Sequence, residues 1–160
     1  MKYMLFIDLD GVLVDFENGV KDITGFLPTE QNKRSMWSQL AKTQNFYANL
    51  EWTRDGKKLW EYVKHHNPVI LTGLPLGSWA KPQKLAWCRK NLGENIPVLT
   101  CFSKDKAKTA KQKTPQDHIP ILIDDREELR ESWEKEGGIF IHHKTAESSI
   151  QKLEKIVKLY

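Results

Sequence analysis

The stretch FIDLDGVLVDF, residues 6–16, decides the fold class. An apolar run of strand length over residues 3–7 leads into it and meets two carboxylates, Asp8 and Asp10, and then Gly11. A continuous apolar run is typical of a parallel strand that helices cover on both faces. A glycine directly after the acids indicates a tight turn. The stretch therefore predicts a buried strand with two carboxylates at its carboxyl end.

Four further apolar runs of strand length follow along the chain. They cover residues 69–71, 98–102, 119–123 and 139–141. Helical periodicity or glycine stop signals predict helices between and after these runs, over residues 79–92, 126–135 and 146–159. Strands that alternate with helices imply right-handed βαβ units. We therefore expect an α/β fold with a doubly wound, Rossmann-like parallel sheet of about five strands.

The interval over residues 15–66 breaks this alternation. More than 50 residues separate the first strand from the second, whereas a simple crossover needs far fewer. Periodic segments around residues 16–23, 29–42 and 55–63 predict a small helical cap followed by the crossover helix. Because 160 residues are a common size for one domain, we expect a single domain over residues 1–160 with this cap inserted after the first strand.

The composition excludes several classes of protein. Six Trp, six Phe and four Tyr supply large core side chains, which excludes disorder as the main state. No apolar run approaches the ~18 residues of a membrane span, and Asp8 interrupts the first run too early for a signal peptide. Cys88 and Cys101 lack CxxC spacing. We expect a cytoplasmic protein without membrane segment, disulfide framework or structural zinc.

A second acidic pair, Asp124 and Asp125, ends the apolar run PILIDD. Parallel strands would place this pair beside Asp8 and Asp10 at one sheet edge, where ligands bind in open α/β sheets. A single acid after a strand is commonly a helix N-cap, but that explanation does not account for two pairs. Converging carboxylates repel one another unless a cation lies among them, and Mg²⁺ prefers oxygen ligands. The sequence therefore predicts a magnesium site.

Two further features suit a phosphate group. Thr72 and Gly73 end the second strand with a hydroxyl and an unobstructed backbone amide, which can hold phosphate oxygens or form an ordinary turn. Residues 104–113 contain five lysines and one acid, in a chain whose net charge is +4. Such a segment can attract a phosphate-bearing partner or be a solvated helix face.

Taken in order, these pieces resemble the four motifs of the haloacid-dehalogenase superfamily. The pieces are DLDGV at residues 8–12, Thr72 after an apolar strand, a lysine at Lys104 or Lys106, and IDD at residues 123–125. The resemblance spans most of the chain. It implies a phosphatase in which Thr72 and the motif lysine contact the phosphoryl group.

The resemblance also assigns roles to the carboxylates. Asp8 would be the nucleophile that forms an aspartyl-phosphate, and Asp10 would protonate the leaving oxygen and later activate water. Mg²⁺ would be held by the Asp8 carboxylate, the Asp10 backbone carbonyl and Asp124, with Asp125 assisting.

Within the superfamily, the chain most resembles the 5'(3')-deoxyribonucleotidases. DLDGVLVDFENG resembles their first motif, FYANLEWTRDG their aromatic pair, and KLAWCRKNLG their Lys-x-x-Trp helix. SKDK resembles their Arg-Asp-Lys, which aligns the motif lysine to Lys106, with Lys104 as the competitor. One departure is that the family follows its threonine with Ser-Pro, whereas Gly73 follows Thr72 here.

That match predicts a substrate pocket. In that pocket Phe16, Phe46 and Tyr47 would line the site of the base or sugar. Apart from that match, Gly73 and Lys104 are candidates for contacts to the substrate phosphate. Aromatic residues in a small cap also commonly form its core, so a core role stays open for the three.

The sequence also leaves two roles open for a nearby segment. Trp79, Lys81 and Lys84 either bind a base and phosphate or begin the following helix.

We therefore expect a Mg²⁺-dependent phosphomonoesterase that acts on a small phosphorylated substrate, with a nucleotide as the leading choice. The alternatives are a polynucleotide terminal phosphatase, a phosphatase for another small phosphoester, or a nucleic-acid-binding module with exposed tryptophans and a vestigial site. The intact acids argue against the last. The histidine pairs at residues 65–66 and 142–143 are expected at the surface, because metal sites need several converging ligands.

Overall fold

The computed structural model describes residues 2–160. Its centre is a parallel sheet of five strands in the order β3-β2-β1-β4-β5. The strands are β1 (Lys2–Ile7), β2 (Val69–Gly73), β3 (Val98–Cys101), β4 (His118–Asp124) and β5 (Ile139–His142). The predicted α/β fold with a doubly wound parallel sheet is thus confirmed. The direction in which strands are added reverses between β1 and β4, and such a switch point is where open α/β sheets bind ligands.

Seven α-helices surround the sheet. They are α1 (Phe16–Thr24), α2 (Lys33–Lys42), α3 (Gly56–Val63), α4 (Ala80–Asn91), α5 (Lys106–Lys113), α6 (Arg130–Lys135) and α7 (Ala146–Val157). Short 3₁₀ turns lie at Pro28–Glu30, Lys64–His66, Ser103–Asp105 and Glu127–Leu129. Helices α3, α4 and α7 cover one face of the sheet, and α5 and α6 cover the other.

The central strand β1 shows why both faces are covered. Leu5 and Ile7 pack into the cluster with α3, α4 and α7, whereas Phe6 packs with α5 and α6. Successive side chains of a strand point to opposite faces. All three side chains are fully buried because helices cover both faces of the sheet. The Phe6 ring meets Trp133 of α6 edge-on, with ring centroids 5.7 Å apart. A continuous apolar run is what such a strand requires.

The two ends of the inserted cap lie next to each other in space. The Asp15 amide donates to the Glu51 carbonyl at 2.9 Å, and the Thr53 amide donates to the Leu13 carbonyl at 2.8 Å. Helices α1 and α2 lie between these points, around a cap core that includes Val20. Helix α3 packs in the sheet layer instead. It is the crossover helix, and α1 and α2 belong to the cap.

Several element boundaries differ from the predicted ones. Strand β2 ends at Gly73 as predicted, whereas β3 ends at Cys101, one residue before the predicted end at Phe102. The periodic segment 29–42 is interrupted before α2, where the Asn32 side chain accepts from the Ser35 amide and caps the helix. An N-cap residue must leave helical geometry, and periodicity alone does not reveal where this happens.

One expectation about exposure was wrong. His143 is buried, with Nδ1 2.8 Å from Ser149 Oγ, because it follows β5 directly and lies under the start of α7. The exposed tryptophans that the nucleic-acid-binding alternative requires are also not present among the described residues: Trp60, Trp87 and Trp133 are buried, and Trp37, Trp52 and Trp79 are partly buried.

Within residues 2–160, we find no helix that has both the length and the apolar character needed to cross a membrane.

Candidate active site

Asp8 and Asp124 lie side by side at the switch point of the sheet. Asp8 follows β1 and Asp124 ends β4; Ile7 pairs with Ile123, and the Asp8 amide donates to the Ile123 carbonyl at 3.0 Å. Asp125 is the next residue. Asp8, Asp124 and Asp125 each present a carboxylate oxygen, and these three atoms lie within 4.8 Å of one another. The two acidic pairs therefore converge on one place.

Lys106 joins two of these carboxylates. Its Nζ lies 2.9 Å from Asp8 Oδ1 and 2.7 Å from Asp124 Oδ2, and the side chain is buried. Burial alone would lower the pKa of Lys106, but the two carboxylates outweigh it and raise the pKa, so the side chain is a permanent cation. Lys104 is exposed, in the turn before α5. The structure thus brings Lys106 to the carboxylates, and not Lys104.

Lys84 is a second buried cation at the site. Its Nζ donates to Asp10 Oδ2 at 3.0 Å, to Thr72 Oγ1 at 2.9 Å and to the Gly73 carbonyl at 2.7 Å. The ammonium also lies 4.5 Å from the centroid of the Tyr47 ring. One lysine thus ties the end of β1 to the end of β2.

The sequence leaves Lys84 open between a contact to the base and phosphate and a place at the start of the helix, and the structure brings it to the site. A signal was present, since Lys84 lies one turn of α4 from Cys88, on the face that the sheet buries. A lysine on such a face needs an anionic or carbonyl partner. The partner is identified only when α4 is placed against β2.

Burial shapes the charge of the carboxylates. It raises the pKa of Asp124 to about 6 and that of Asp125 to about 8, and the neighbouring Asp8 adds to both shifts. Burial also raises the pKa of Asp10, while Lys84 opposes that shift. Burial and mutual repulsion thus disfavour the charged forms of these carboxyls, and a cation among them would favour the charged forms.

The residues present fit a hard divalent cation. Asp125 Oδ1 is buried and has no hydrogen-bond partner among the described residues. Gly11 has φ +79°, and a Cβ on it would lie 2.1 Å from Asp125 Oδ2, so glycine leaves the space that this carboxylate occupies. Carboxylate oxygens are the ligands that Mg²⁺ prefers. The donor set and the repulsion among its carboxylates both suit that ion.

The carboxylates open into a cavity of about 460 Å³, the catalytic cavity. Asp8, Asp10, Asp125 and Lys106 line its floor, and Phe16 of the cap lines it too. Further lining residues carry charge or hydroxyl groups: Asp15, Glu17, Thr53, Ser103 and Arg126. The cavity is therefore polar, with cationic and anionic groups at one end of the sheet.

Thr72 and Gly73 take different places. Thr72 is fully buried and holds Lys84, whereas Gly73 lines the cavity. A Cβ at Gly73 would lie 2.2 Å from Ser103 Oγ, so the missing side chain makes room for Ser103. The chain thus has a serine hydroxyl beside Gly73, supplied by the segment after β3. Sequence reasoning noted the missing serine after Thr72 and did not find this one.

The three predicted pocket aromatics are also divided. Phe16 lines the catalytic cavity, whereas Phe46 and Tyr47 are buried in the cap core. The Tyr47 ring stacks on Phe16, with centroids 6.0 Å apart, and therefore supports it from behind.

Comparisons with known proteins bear mainly on the fold. Neither the protein-family models nor the curated proteins contain a match to this chain. Among solved structures, the chain is similar to the crystal structure of a hydrolase from Streptococcus pneumoniae TIGR4, with a TM-score of 0.58 and 14% sequence identity. The match covers 99% of this chain and 100% of the other. At this identity the similarity shows a shared fold.

Proposed function

We propose that this chain is a Mg²⁺-dependent phosphomonoester hydrolase of the haloacid-dehalogenase type. The observation that carries the proposal is the position of Asp8, which lies at a sheet switch point and bonds to Lys106 on the floor of a polar cavity. Asp124 and Asp125 complete an acidic cluster beside it. The structural relative, which shares the fold at full length, is itself a hydrolase.

In the first step, an Asp8 oxygen attacks phosphorus and forms the aspartyl-phosphate, while the bond from phosphorus to the leaving oxygen breaks. Lys106 holds Asp8 Oδ1 at 2.9 Å and so fixes the direction of the other oxygen. Its positive charge also offsets the repulsion between the carboxylate and the anionic phosphoryl group. Ser103 and Gly73 line the same cavity, and the serine hydroxyl and the glycine backbone would contact phosphoryl oxygens.

Asp10 supplies the proton that the leaving oxygen needs. Lys84 holds Oδ2 of Asp10, and Oδ1 has no hydrogen-bond partner among the described residues. The Asp10 carboxyl lines the cavity and can carry a proton to the leaving group, and burial supports its protonated form by raising the pKa. In the second step, Asp10 takes a proton from water as the water oxygen attacks phosphorus, which releases phosphate and regenerates Asp8.

Asp8, Asp124 and Asp125 would hold Mg²⁺ through their carboxylates. Bound there, the ion would supply positive charge that offsets the repulsion between the acidic cluster and an anionic phosphoryl group. The two buried lysines orient the reacting carboxyls: Lys106 orients that of Asp8, and Lys84 orients that of Asp10.

A nucleotide is the leading substrate. The catalytic cavity combines an aromatic wall at Phe16 with a phosphate-reactive floor, and Arg126 adds a cation at its rim. An aromatic surface beside a cation suits a base and a phosphate on one small molecule.

The test is a hydrolysis screen with Mg²⁺ and with a chelator. Its substrates are an aryl phosphate, 5'- and 3'-nucleotides and sugar phosphates. The proposal expects Mg²⁺-dependent phosphate release that disappears in Asp8→Asn and persists in Asp22→Asn, an exposed acid of the cap. Lack of release from every monoester would refute it.

A further inference from the structure

A second cavity adjoins the catalytic one. This aromatic groove has a volume of about 570 Å³ and is lined by Trp37, Leu74, Leu76, Trp79 and Phe102, together with Arg34. Its volume lies within the range of roughly 300–1,000 Å³ that is common for ligand sites. Leu76 is 82% exposed and Phe102 is 48% exposed. Large apolar side chains seldom cluster in solvent without a binding role.

The groove and the catalytic cavity share two segments of chain. Leu74 lines the groove and directly follows Gly73, which lines the catalytic cavity. Phe102 lines the groove and directly precedes Ser103, which again lines the catalytic cavity. Because Gly73 and Ser103 are in contact, a ligand that leaves the catalytic cavity over this pair reaches the groove.

Four stacked aromatic rings separate the two cavities. Phe16 faces the catalytic cavity and stacks on Trp37 and Tyr47, with centroids 5.7 and 6.0 Å apart. Tyr47 stacks in turn on Trp79, at 5.5 Å. Trp37 and Trp79 line the groove. One cluster of packed aromatic rings thus lines both cavities.

The charge at the groove is positive. Of the described residues that line it, Arg34 alone is charged, and it forms no ion pair within residues 2–160. Beyond Leu74 and Phe102, a shallow cavity adds Lys108, along with the acid Asp105. An apolar groove with one unpaired cation at the edge suits a base with its attached phosphate.

We infer that the aromatic groove binds a nucleotide of a single-stranded oligonucleotide whose terminal phosphate lies at Asp8. This inference rests on the proposed phosphatase and names its substrate class as a nucleotide chain with a terminal phosphate. Bases stack on aromatic side chains without regard to sequence, while cations follow the backbone. The neighbouring phosphate-reactive site favours this occupant over an apolar protein segment, which would require neither Arg34 nor continuity with the catalytic cavity.

The test compares kcat/KM for thymidine mononucleotides and trithymidylates that carry the same terminal phosphate, in separate 5' and 3' series. The inference expects at least one series to favour the trimer about tenfold, because one stacked base contributes on that order. Phe102→Ala and Arg34→Ala should each lower this trimer-to-monomer ratio severalfold. Phe26→Ala and Arg89→Ala, which alter exposed residues elsewhere, should leave the ratio unchanged. Equal kcat/KM for monomer and trimer in both series would overturn the inference and leave the phosphatase proposal standing.

A second measurement tests the aromatic groove in the case that the protein hydrolyses none of the monoesters. Fluorescence anisotropy of a labelled oligothymidylate without a terminal phosphate reports binding at the groove alone. The inference expects saturable binding that Phe102→Ala weakens severalfold and Phe26→Ala does not. Failure of the phosphatase proposal therefore appears as absent turnover of all monoesters, whereas failure of the groove appears as absent binding or as binding that Phe102→Ala does not affect.

Discussion

Lys84 Nζ lies 3.0 Å from Asp10 Oδ2, and the same ammonium holds Thr72 and the Gly73 carbonyl. Lys84 and Asp10 are 74 positions apart in the sequence, and the buried ammonium of Lys84 links the ends of β1 and β2. Lys84 fixes the position of the Asp10 carboxyl at the catalytic cavity. It is therefore a positioning residue for the proposed general acid.

Lys84→Met is expected to lower kcat about 100-fold for alkyl phosphates, because a displaced general acid loses much of its contribution of 10²–10⁴. The loss should be smaller for an aryl phosphate, whose leaving oxygen needs little proton donation. Steady-state kinetics on both substrates measures the difference. Lys81→Met, which changes an exposed lysine of the same helix, should keep both rates. An equal loss on both substrates would contradict the positioning role.

Gly11→Ala is expected to impair Mg²⁺ binding, because the new Cβ would lie 2.1 Å from Asp125 Oδ2. Gly25→Ala is the matched control, since Gly25 also has positive φ, +85°, but nothing lies within 4 Å of its Cβ position. Both variants should lose about 1–2 kcal/mol of stability from the left-handed backbone. Only Gly11→Ala should also lose Mg²⁺ affinity, as measured by calorimetry. A similar Mg²⁺ affinity in both variants would contradict the inference that Gly11 makes room for the Asp125 carboxylate.

Lys106→Ala should reduce kcat/KM at least about 100-fold, and Lys104→Ala less than about threefold. Lys106 is a buried partner of Asp8 and Asp124, whereas Lys104 is exposed and screened by solvent. The measurement is kcat/KM at low and at moderate salt concentration. The reduction of kcat/KM in Lys106→Ala should be the same at both concentrations. Lys111→Ala, on the exposed face of α5, is a further control. Small, salt-sensitive losses at all three lysines would remove Lys106 from the mechanism.

Mg²⁺ is expected to stabilise the protein, because it relieves repulsion among Asp8, Asp124 and Asp125. At a concentration about 100 times Kd the gain is about 2.7 kcal/mol, which raises Tm by about 5 °C or more for a chain of this size. Thermal unfolding with and without Mg²⁺ measures it. Asp124→Asn should abolish the increase, and Asp22→Asn should retain it. An unchanged increase in Asp124→Asn would place the ion elsewhere.

The sequence predicts the sheet well because its strands are buried on both faces. The apolar run before Asp8 and the run before Asp124 are continuous, which identifies parallel strands and locates their carboxyl ends. Strand direction places Asp8 and Asp124 at the same edge of the sheet, and the pairing of β1 with β4 brings them together. Side chains at strand ends are therefore the part of the site that a pattern can place.

Contacts between distant elements are less predictable. Lys84 is placed by the packing of α4 against β2, and Ser103 reaches Gly73 from the next strand over. No local pattern determines either contact, because each depends on how two elements that are separate in sequence pack together. His143 shows the same limit, since only the docking of α7 buries it.

The most direct test of the central claim is intact-protein mass spectrometry of Asp10→Asn, quenched in acid after mixing with an aryl phosphate and Mg²⁺. The aryl leaving group permits the first step, and loss of the Asp10 base slows the second. The account predicts a mass increase of one phosphoryl group, which peptide mapping assigns to Asp8 and which disappears when Asp8→Asn is added. Turnover without any phosphoryl-enzyme, or a phosphoryl group on another residue, would contradict it.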